Sequence, residues 1–481
     1  MKKRLALFVV LLAALALTAA AAVAAATPKQ PIAASPTKAA ADHCMFVMVG
    51  KNATADGSVL MGYNNDWSAQ NYDYLKVVPE TASTYGYIRL LTMGEVAEGG
   101  INQYQLAVNY GVATDLAREV LVADPYAKKG YGNEMWDMLL QQCRTARQAI
   151  DLLEQMANTK GFSNYAAGSF GIADPNEAWV FELFGGHHWV AARVPDDCYY
   201  AQPNMPRIRQ VNLADPANFR GSPDLVQFAI NIGRYDPNSG PFDTAWAYGD
   251  RADLQDPYNT NRLWGVLHLW SPSLNAPLSM PYDQRPVFVR PDRKLTRSDV
   301  MAFNRYHYEG TALDQTQDYT LMSPHDQTCR PICCSTTDYG VEWQCRSWLP
   351  DGIGGVMWLA PSRPCSSTFV PFYAGITSVP YAWTTKPPNG AYASFRAVAD
   401  SLDKKGTVGG ELRYKYYIPL VRSTYGAFET DCISQQASVD CTARGLWRTS
   451  PAQAWAYLTG YSAQRANQAV SLAQQLLAQM P

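Results

Sequence analysis

Several features that define large protein classes are missing from this sequence. After the first 26 residues, no apolar run is long enough to span a bilayer. Basic residues number 40 against 42 acidic ones, so the chain has no excess of positive charge to attract nucleic acid. A Gly-rich phosphate loop and repeats of solenoid period are also absent. We therefore exclude nucleic-acid binding and find no sign of a repeat protein.

The first 43 residues differ in composition from the rest. MKKRLALFVVLLAALALTAAAAVAAA, residues 1–26, has three basic residues, an apolar stretch and small residues near Ala26, which is typical of a signal peptide. An uncleaved membrane anchor is the alternative. Residues 27–43 lack periodicity and resemble a propeptide or linker. We expect an exported protein, secreted or in the cell envelope, without stable membrane insertion after the signal is removed.

Strand-like and helix-like segments alternate along the rest of the chain. MFVMVG and SVLMGYN flank Asp56 and Gly57, and NEAWVFELF and HHWVAARV flank Gly185 and Gly186, so each pair predicts a β-hairpin. GGVMWLA and TFVPFYAGI are further strand-like runs. ARQAIDLLEQMAN, capped by Thr145, and the segment from Ser450 have helical patterns. The predicted class is α+β, with helices packed over antiparallel hairpins.

The chain contains ten cysteines, six of them between residues 329 and 432. In an exported protein such cysteines usually form disulfides, but their pairing cannot be read from sequence. CRPICC, at residues 329–334, fits no standard zinc spacing, and no histidine pair lies beside it at ligand spacing. We therefore interpret these cysteines as disulfides or free thiols and predict no metal.

Four ordered segments carry a resemblance to a known family: CMFVMVGKNATADGSVLMGYNND, ADPNEAWVFELFGGHHWVAARVPDD, HYEGTALD and DGIGGVMWLAPSRPCSSTFVPFYAGI. Together they resemble the cysteine dipeptidases of the N-terminal nucleophile (Ntn) hydrolases, relatives of penicillin V acylases and bile salt hydrolases. The resemblance runs over residues 44–481. It implies a four-layer αββα sandwich with a helical C-terminal segment, and hydrolysis of dipeptides or short peptides without metal or cofactor.

Cys44 is the nucleophile that this resemblance implies. A thiolate attacks the amide carbonyl, and a base must take the proton and later return it to the leaving amine. A free α-amine has a pKa of about 7.7–8.0, so an N-terminal cysteine supplies both groups. Upstream residues would acylate this amine. The mechanism therefore requires removal of residues 1–43, by autocatalysis or by a protease.

The same resemblance implies roles for further residues. Asp66, in GYNNDW, matches the aspartate that orients the terminal amine and thiol. Tyr63 stands where the acylase branch has an arginine beside the sulfur, and its presence removes one cation that would favour the thiolate. Asn204 matches the donor to the tetrahedral oxyanion, and Asn109 is a less certain second donor. Arg262 matches the family's late arginine and is expected to lower the thiol pKa.

Alternatives for the chain and for Cys44 stay open at this point. Lipidation of Cys44 is disfavoured because Ala41, Asp42 and His43 precede it rather than Leu and small residues. A buried structural cysteine is the plainest alternative. A papain-like Cys/His pair lacks its local signature. At the level of function, the alternatives are an N-acyl amidase of the same superfamily and a catalytically silent surface or binding protein. Homo-oligomerisation is left open.

Overall fold

The computed structural model describes residues 44–67, 74–92, 96–385 and 390–481. The predicted signal peptide and propeptide lie outside these residues. Seventeen strands occur in the described parts, and their bounds are β1 Met45–Val49, β2 Val59–Asp66, β3 Tyr74–Val78, β4 Tyr87–Thr92, β5 Val96–Asn102, β6 Ala107–Asn109, β7 Ser169–Ala173, β8 Ala178–Leu183, β9 Trp189–Val194, β10 Tyr199–Gln202, β11 Phe219–Gly221, β12 Phe288–Val289, β13 Thr337–Cys345, β14 Val356–Pro361, β15 Val370–Tyr373, β16 Thr407–Val408 and β17 Glu411–Leu412.

The first large sheet has seven strands in the order β12-β10-β1-β2-β13-β14-β15, all antiparallel. Its central strands β1, β2 and β13 are buried along their whole length, and β1, with the sequence MFVMV, is a continuous apolar run. The register between β2 and β13 shifts between Thr337 and Tyr339, which places Thr337 opposite Asp66. This irregularity brings a hydroxyl to the end of β2.

The second large sheet has eight antiparallel strands in the order β11-β9-β8-β7-β6-β5-β4-β3. It packs against the first sheet at Gly171 of β7. A Cβ at this glycine would lie 2.8 Å from the Met61 sulfur and 2.9 Å from the Met48 sulfur. The missing side chain therefore lets two thioethers of the first sheet fill the space between the sheets.

Helices cover the sheets. Their bounds are α1 Arg118–Ala123, α2 Glu134–Gln142, α3 Ala146–Thr159, α4 Leu225–Asn231, α5 Thr244–Tyr248, α6 Pro257–Trp270, α7 Arg297–Asn304, α8 Asp351–Gly354, α9 Tyr381–Thr384, α10 Ala391–Asp403, α11 Arg413–Trp447 and α12 Pro451–Ala478. Leu139 and Leu153, from α2 and α3, share a buried apolar cluster with Phe181 of the second sheet. Val300 of α7 shares another with Val47 of the first sheet. Burial of these apolar helix faces fixes the helices on the sheets.

Most local predictions are confirmed. β1 pairs with β2 and β8 with β9, as the hairpin patterns indicated, and the strand-like runs GGVMWLA and TFVPFYAGI form the paired strands β14 and β15. The Thr145 side chain accepts a hydrogen bond from the Gln148 backbone N–H at the start of α3, and Ser450 caps α12 in the same way. The mixed α and β class is confirmed. In the part of the chain that the structure describes, no helix combines the length and hydrophobicity that a bilayer crossing requires.

Candidate active site

Cys44 directly precedes β1 and is 4% exposed. It belongs to the buried apolar cluster that residues of both large sheets form. Its carbonyl oxygen accepts a hydrogen bond of 3.0 Å from Nη1 of Arg262. Since Met45 pairs with Asn64 across the β1–β2 ladder, Cys44 lies beside the end of β2, where Asp66 is found. The hairpin therefore brings the predicted nucleophile and the predicted orienting carboxylate to one edge.

Arg262 connects Cys44 to a second predicted residue. It lies on α6, is completely buried, and donates from Nη2 to Oδ1 of Asn204 at 2.9 Å and to Oδ1 of Asn259 at 2.9 Å. Asn204 in turn donates from Nδ2 to the Ala113 carbonyl at 2.9 Å. The structure thus brings Cys44, Arg262 and Asn204 together, and these bonds fix the orientation of the Asn204 amide.

Asp66 is paired with a cation that sequence reasoning missed. Nη2 of Arg330 donates to Oδ2 of Asp66 at 2.6 Å, and the Thr337 hydroxyl donates to Oδ1. Burial raises the pKa of Asp66, while Arg330, Thr337 and Arg262 oppose the rise. Arg330 belongs to CRPICC, a segment whose cysteines are its conspicuous feature in the sequence. No local pattern marked it, because its partner is 264 residues away in sequence.

Two arginines flank one aromatic ring at this site. The guanidinium carbons of Arg262 and Arg330 lie 4.9 and 4.8 Å from the centre of the Tyr258 ring. The negative face of an aromatic ring attracts cations, which helps to hold two like charges in one buried region. The Asp66 carboxylate balances part of that charge. The site therefore holds two cations, of which Arg330 pairs directly with Asp66 and Arg262 bonds to the Cys44 carbonyl.

Tyr63 contacts the Cys44 sulfur but carries no positive charge that would stabilise the thiolate. Its hydroxyl lies within hydrogen-bond reach of both the Cys44 sulfur and the Gly111 carbonyl, the latter at 3.1 Å. Burial, followed by the nearby Asp66 carboxylate, raises the pKa of the Cys44 thiol to about 12. Hydrogen bonds from Tyr63 and from the Asp66 backbone oppose this rise. In the chain that carries residues upstream of Cys44, the sulfur is accordingly a neutral thiol at pH 7 and a poor nucleophile.

Glu98 is a buried acid that the sequence did not single out. Its Oε2 accepts a hydrogen bond of 2.7 Å from Nδ2 of Asn65, and it also bonds to the Tyr339 hydroxyl. Burial, more than any other cause, raises the pKa of Glu98 to about 8. The Glu98 side chain is therefore neutral at pH 7. Its negative charge, which helps to raise the pKa of Cys44, is present only after Glu98 ionises.

Asn109 lies in β6, two residues before Gly111, whose carbonyl bonds to the Tyr63 hydroxyl. Its Oδ1 accepts a hydrogen bond of 2.7 Å from the Gly171 backbone N–H, and its Nδ2 is buried. Among residues 44–67, 74–92, 96–385 and 390–481, no hydrogen bond joins it to Cys44, Asp66, Asn204 or Arg262. The role of Asn109 as a second oxyanion donor stays a prediction.

Sequence similarity relates this chain to known peptidases. Residues 74–396 match the sequence profile of Peptidase family C69. A probable dipeptidase of Salmonella dublin is 32% identical over 360 residues, covering 69% of this chain and 81% of the relative. A probable dipeptidase of Latilactobacillus sakei is 26% identical over 426 residues, covering 83% and 85%. A dipeptidase of Bifidobacterium longum is 26% identical over 390 residues, covering 70% and 72%.

The chain belongs to peptidase family C69. This confirms the resemblance to the cysteine dipeptidase family and the prediction of a cysteine-type dipeptidase. The family match includes Asn204, Arg262 and Arg330 but begins at residue 74, after Cys44, Tyr63 and Asp66.

Glu98→Gln should make this C69 protein more resistant to alkaline pH. Because the folded-state pKa of Glu98 is raised from 4.5 to about 8, its contribution to stability is full below pH 4.5 and is lost as the pH rises through 8. Glutamine stays neutral, so the variant should gain melting temperature at pH 8.5 relative to wild type and little at pH 4.5. Thermal unfolding at the two pH values measures this, with the exposed Glu411→Gln as control. An equal shift at both pH values would contradict a raised pKa.

Proposed function

We propose that this C69 protein is an exported cysteine dipeptidase whose mature chain begins at Cys44. The observation that carries the proposal is the convergence on Cys44 of two charged networks: Arg262 with Asn204 on its carbonyl side, and Arg330 with Asp66 near its thiol. Burial holds the side chains of Cys44, Asp66 and Arg262 in fixed positions. The dipeptidase names of the three relatives support the choice of dipeptides as substrates.

Removal of residues 1–43 is the activating step in this proposal. Before removal, the Cys44 nitrogen is an amide that cannot accept a proton, and the thiol pKa is about 12. After removal, the new α-amine has a pKa of about 7.7–8.0, carries a positive charge for part of the time and lies on the same residue as the sulfur. A neighbouring cation lowers a thiol pKa. Cleavage thus supplies both the base and the electrostatic activation that the precursor lacks.

The reaction then follows from the positions of the side chains. The α-amine takes the thiol proton as the sulfur attacks the peptide carbonyl carbon, and it returns that proton to the leaving amine when the C–N bond breaks. Water hydrolyses the resulting thioester by the same route and regenerates the thiol. In this proposal Asp66, which Arg330 holds, orients the α-amine. Asn204 has a second amide N–H, beyond the one given to Ala113, for the oxyanion.

The remaining parts of the proposal concern fold and location. The two stacked antiparallel sheets and their helices support the four-layer αββα sandwich of Ntn hydrolases as the fold of residues 44–481. The composition of residues 1–26 supports export to the cell envelope or beyond. Dipeptides or short peptides are the proposed substrates, and none of these steps uses a metal or cofactor.

The deciding experiment determines the N-terminus and the substrate together. The protein is produced with its own leader, recovered from the exported fraction and analysed by intact mass and N-terminal sequencing. It is then assayed on matched unblocked and N-acetylated dipeptides. We expect a chain starting at Cys44 that hydrolyses the unblocked peptides. An active chain starting at Thr27 would refute the mechanism, and preference for acylated substrates would indicate an N-acyl amidase instead.

Asn204→Ala should lower kcat by about 10²–10³ because it removes one donor to the developing oxyanion. The variant should still begin at Cys44 and still react with iodoacetamide, since the nucleophile is intact. Steady-state kinetics on unblocked dipeptides gives kcat and KM. Asn259→Ala, which also removes a partner of Arg262, is the matched control and should retain more activity. A normal kcat in Asn204→Ala would remove this residue from the oxyanion site.

A further inference from the structure

A second cluster of reactive side chains lies outside the Cys44 site. His307, His325, Cys333 and Cys365 each offer one ligand atom, and these four atoms all lie within 4.8 Å of one another. The cluster is shielded from solvent: His307 and Cys333 are fully buried, Cys365 is 3% exposed and the His325 side chain is 4% exposed. We refer to these four residues as the Cys2His2 cluster.

We propose that the Cys2His2 cluster binds one structural zinc ion. Two thiolates and two imidazoles are a usual donor set for four-coordinate zinc. With Zn–N of about 2.0–2.1 Å and Zn–S of about 2.3 Å, tetrahedral geometry puts neighbouring ligand atoms about 3.3–3.8 Å apart. Nε2 of His325 already lies 3.3 Å from the Cys365 sulfur. The side chains therefore need only small shifts to coordinate zinc.

The outer hydrogen bonds orient both imidazoles for this role. Nδ1 of His307 lies 3.0 Å from Oε1 of Glu309, and Nδ1 of His325 lies 2.8 Å from Oδ2 of Asp403. In both rings the other nitrogen, Nε2, is directed at the sulfurs. Nε2 of His307 is buried beside Cys365 and has no hydrogen bond of ordinary geometry within the described residues. Carboxylates behind the histidines are the usual second layer of protein zinc sites.

The carboxylates are themselves fixed. The Tyr319 hydroxyl donates to Glu309 at 2.7 Å, the Ser323 hydroxyl donates to Asp403 at 3.0 Å, and Arg363 pairs with Asp403 at 3.2 Å. Two thiolates balance the charge of a zinc ion, so the bound site would not leave an uncompensated buried charge. A disulfide between Cys333 and Cys365 would use only the sulfurs and would leave two oriented imidazoles without a ligand role.

The position of the cluster indicates what the metal would do. Residues 305–336, between α7 and β13, form a long connection whose regular structure is a single short 3-10 helix, Pro324–Asp326. Connections of this length are rarely ordered without a special constraint. His307, His325 and Cys333 lie in this connection, and Cys365 lies between β14 and β15. The zinc ion would therefore attach the connection to the first sheet.

This attachment also reaches the Cys44 site. Arg330, which pairs with Asp66, is three residues before Cys333. Fixing Cys333 would restrict the backbone that carries the Arg330 guanidinium. The metal in this proposal is structural and takes no part in hydrolysis. The sequence of CRPICC alone predicted no metal. The two histidines lie 8 and 26 residues upstream of Cys333, a spacing that matches no standard zinc pattern.

The test is metal analysis of the whole protein, purified without a polyhistidine tag and dialysed against chelating resin. We expect plasma mass spectrometry to find about one zinc ion per chain. An organomercurial that blocks the thiols should release this zinc, and a chromogenic chelator should detect the released ion. Cys365→Ser and His307→Ala should lose the zinc, while Cys334→Ser, a neighbouring buried cysteine outside the cluster, should keep it. Replacement of zinc by Co²⁺ should give the intense visible absorption of tetrahedral cobalt–thiolate sites.

Wild-type protein alone can overturn the proposal, so it does not depend on the folding of any variant. Less than about a tenth of a zinc ion per chain, in preparations supplied with zinc during expression, would refute it. A Cys333–Cys365 disulfide found by mass spectrometry of unreduced peptides would also refute the zinc site, because the two sulfurs would then be oxidised. Zinc retained at full occupancy in Cys365→Ser would place the metal elsewhere. These outcomes are independent of dipeptidase activity.

Discussion

Cys44→Ala should reduce turnover of unblocked dipeptides to the uncatalysed background. The substitution removes the attacking sulfur, and neither Tyr63 nor any other group that contacts it can form the thioester. If the chain removes its own leader, the variant should also accumulate as the unprocessed precursor. Comparison of kcat and intact mass with wild type, at equal concentrations of folded protein, measures both effects. This is the largest change in activity that we expect from a single substitution.

The matched control for this variant is Cys143→Ala. Cys143 is also buried and follows α2, in the apolar cluster on the second sheet rather than beside Cys44. It should lose some stability, as a truncated core residue does, and should keep its turnover and its processing. Cys44→Ser adds a further comparison, because a hydroxyl keeps the geometry but is a weaker nucleophile. Turnover at the wild-type level in Cys44→Ala would refute a cysteine peptidase mechanism at this residue.

Local structure was largely predictable from the sequence, because short-range signals determine it. The Asp56–Gly57 and Gly185–Gly186 turns, and the Thr145 and Ser450 caps, each act within a few residues. The long helix α11, Arg413–Trp447, was not predicted. It contains Pro419, which ordinarily interrupts a helix. Its buried side, with Val421, Phe428 and Val439, packs on the core and outweighs that local preference.

The candidate site was predictable only where the family resemblance reached it. Cys44, Asp66, Asn204 and Arg262 were named from the sequence, and the structure connects them by short contacts. Glu98 and Arg330 were missed because each acquires its role from burial and from a partner far away along the chain. The same reason hid the Cys2His2 cluster. The spacing of residues in a sequence can predict a site whose residues lie in one segment. In this fold, each site combines residues from several distant segments.

Arg330→Met should combine a large loss of stability with a large loss of activity. The substitution leaves the Asp66 carboxylate, which is 1% exposed, without its cation. Removing one partner of a buried ion pair typically costs about 3–5 kcal/mol. The freed carboxylate should also lose the orientation that the α-amine of Cys44 requires. Urea unfolding measures the first effect, and kcat per folded molecule measures the second. Arg193→Met, which breaks the Arg193–Glu177 pair away from Cys44, is the control and should keep its kcat.

The double variant Asp66→Asn/Arg330→Met separates the two consequences of this pair. It removes both charges, so no ion is left buried alone, and a large part of the stability lost in Arg330→Met should return. Activity should not return, because asparagine cannot stabilise a protonated α-amine as a carboxylate does. If removal of the leader needs only the Cys44 sulfur, both variants should be processed to the same N-terminus as wild type. If activity recovered together with stability, Asp66 and Arg330 would be structural partners, and the orientation of the Cys44 amine would have to come from Tyr63 and Arg262 alone.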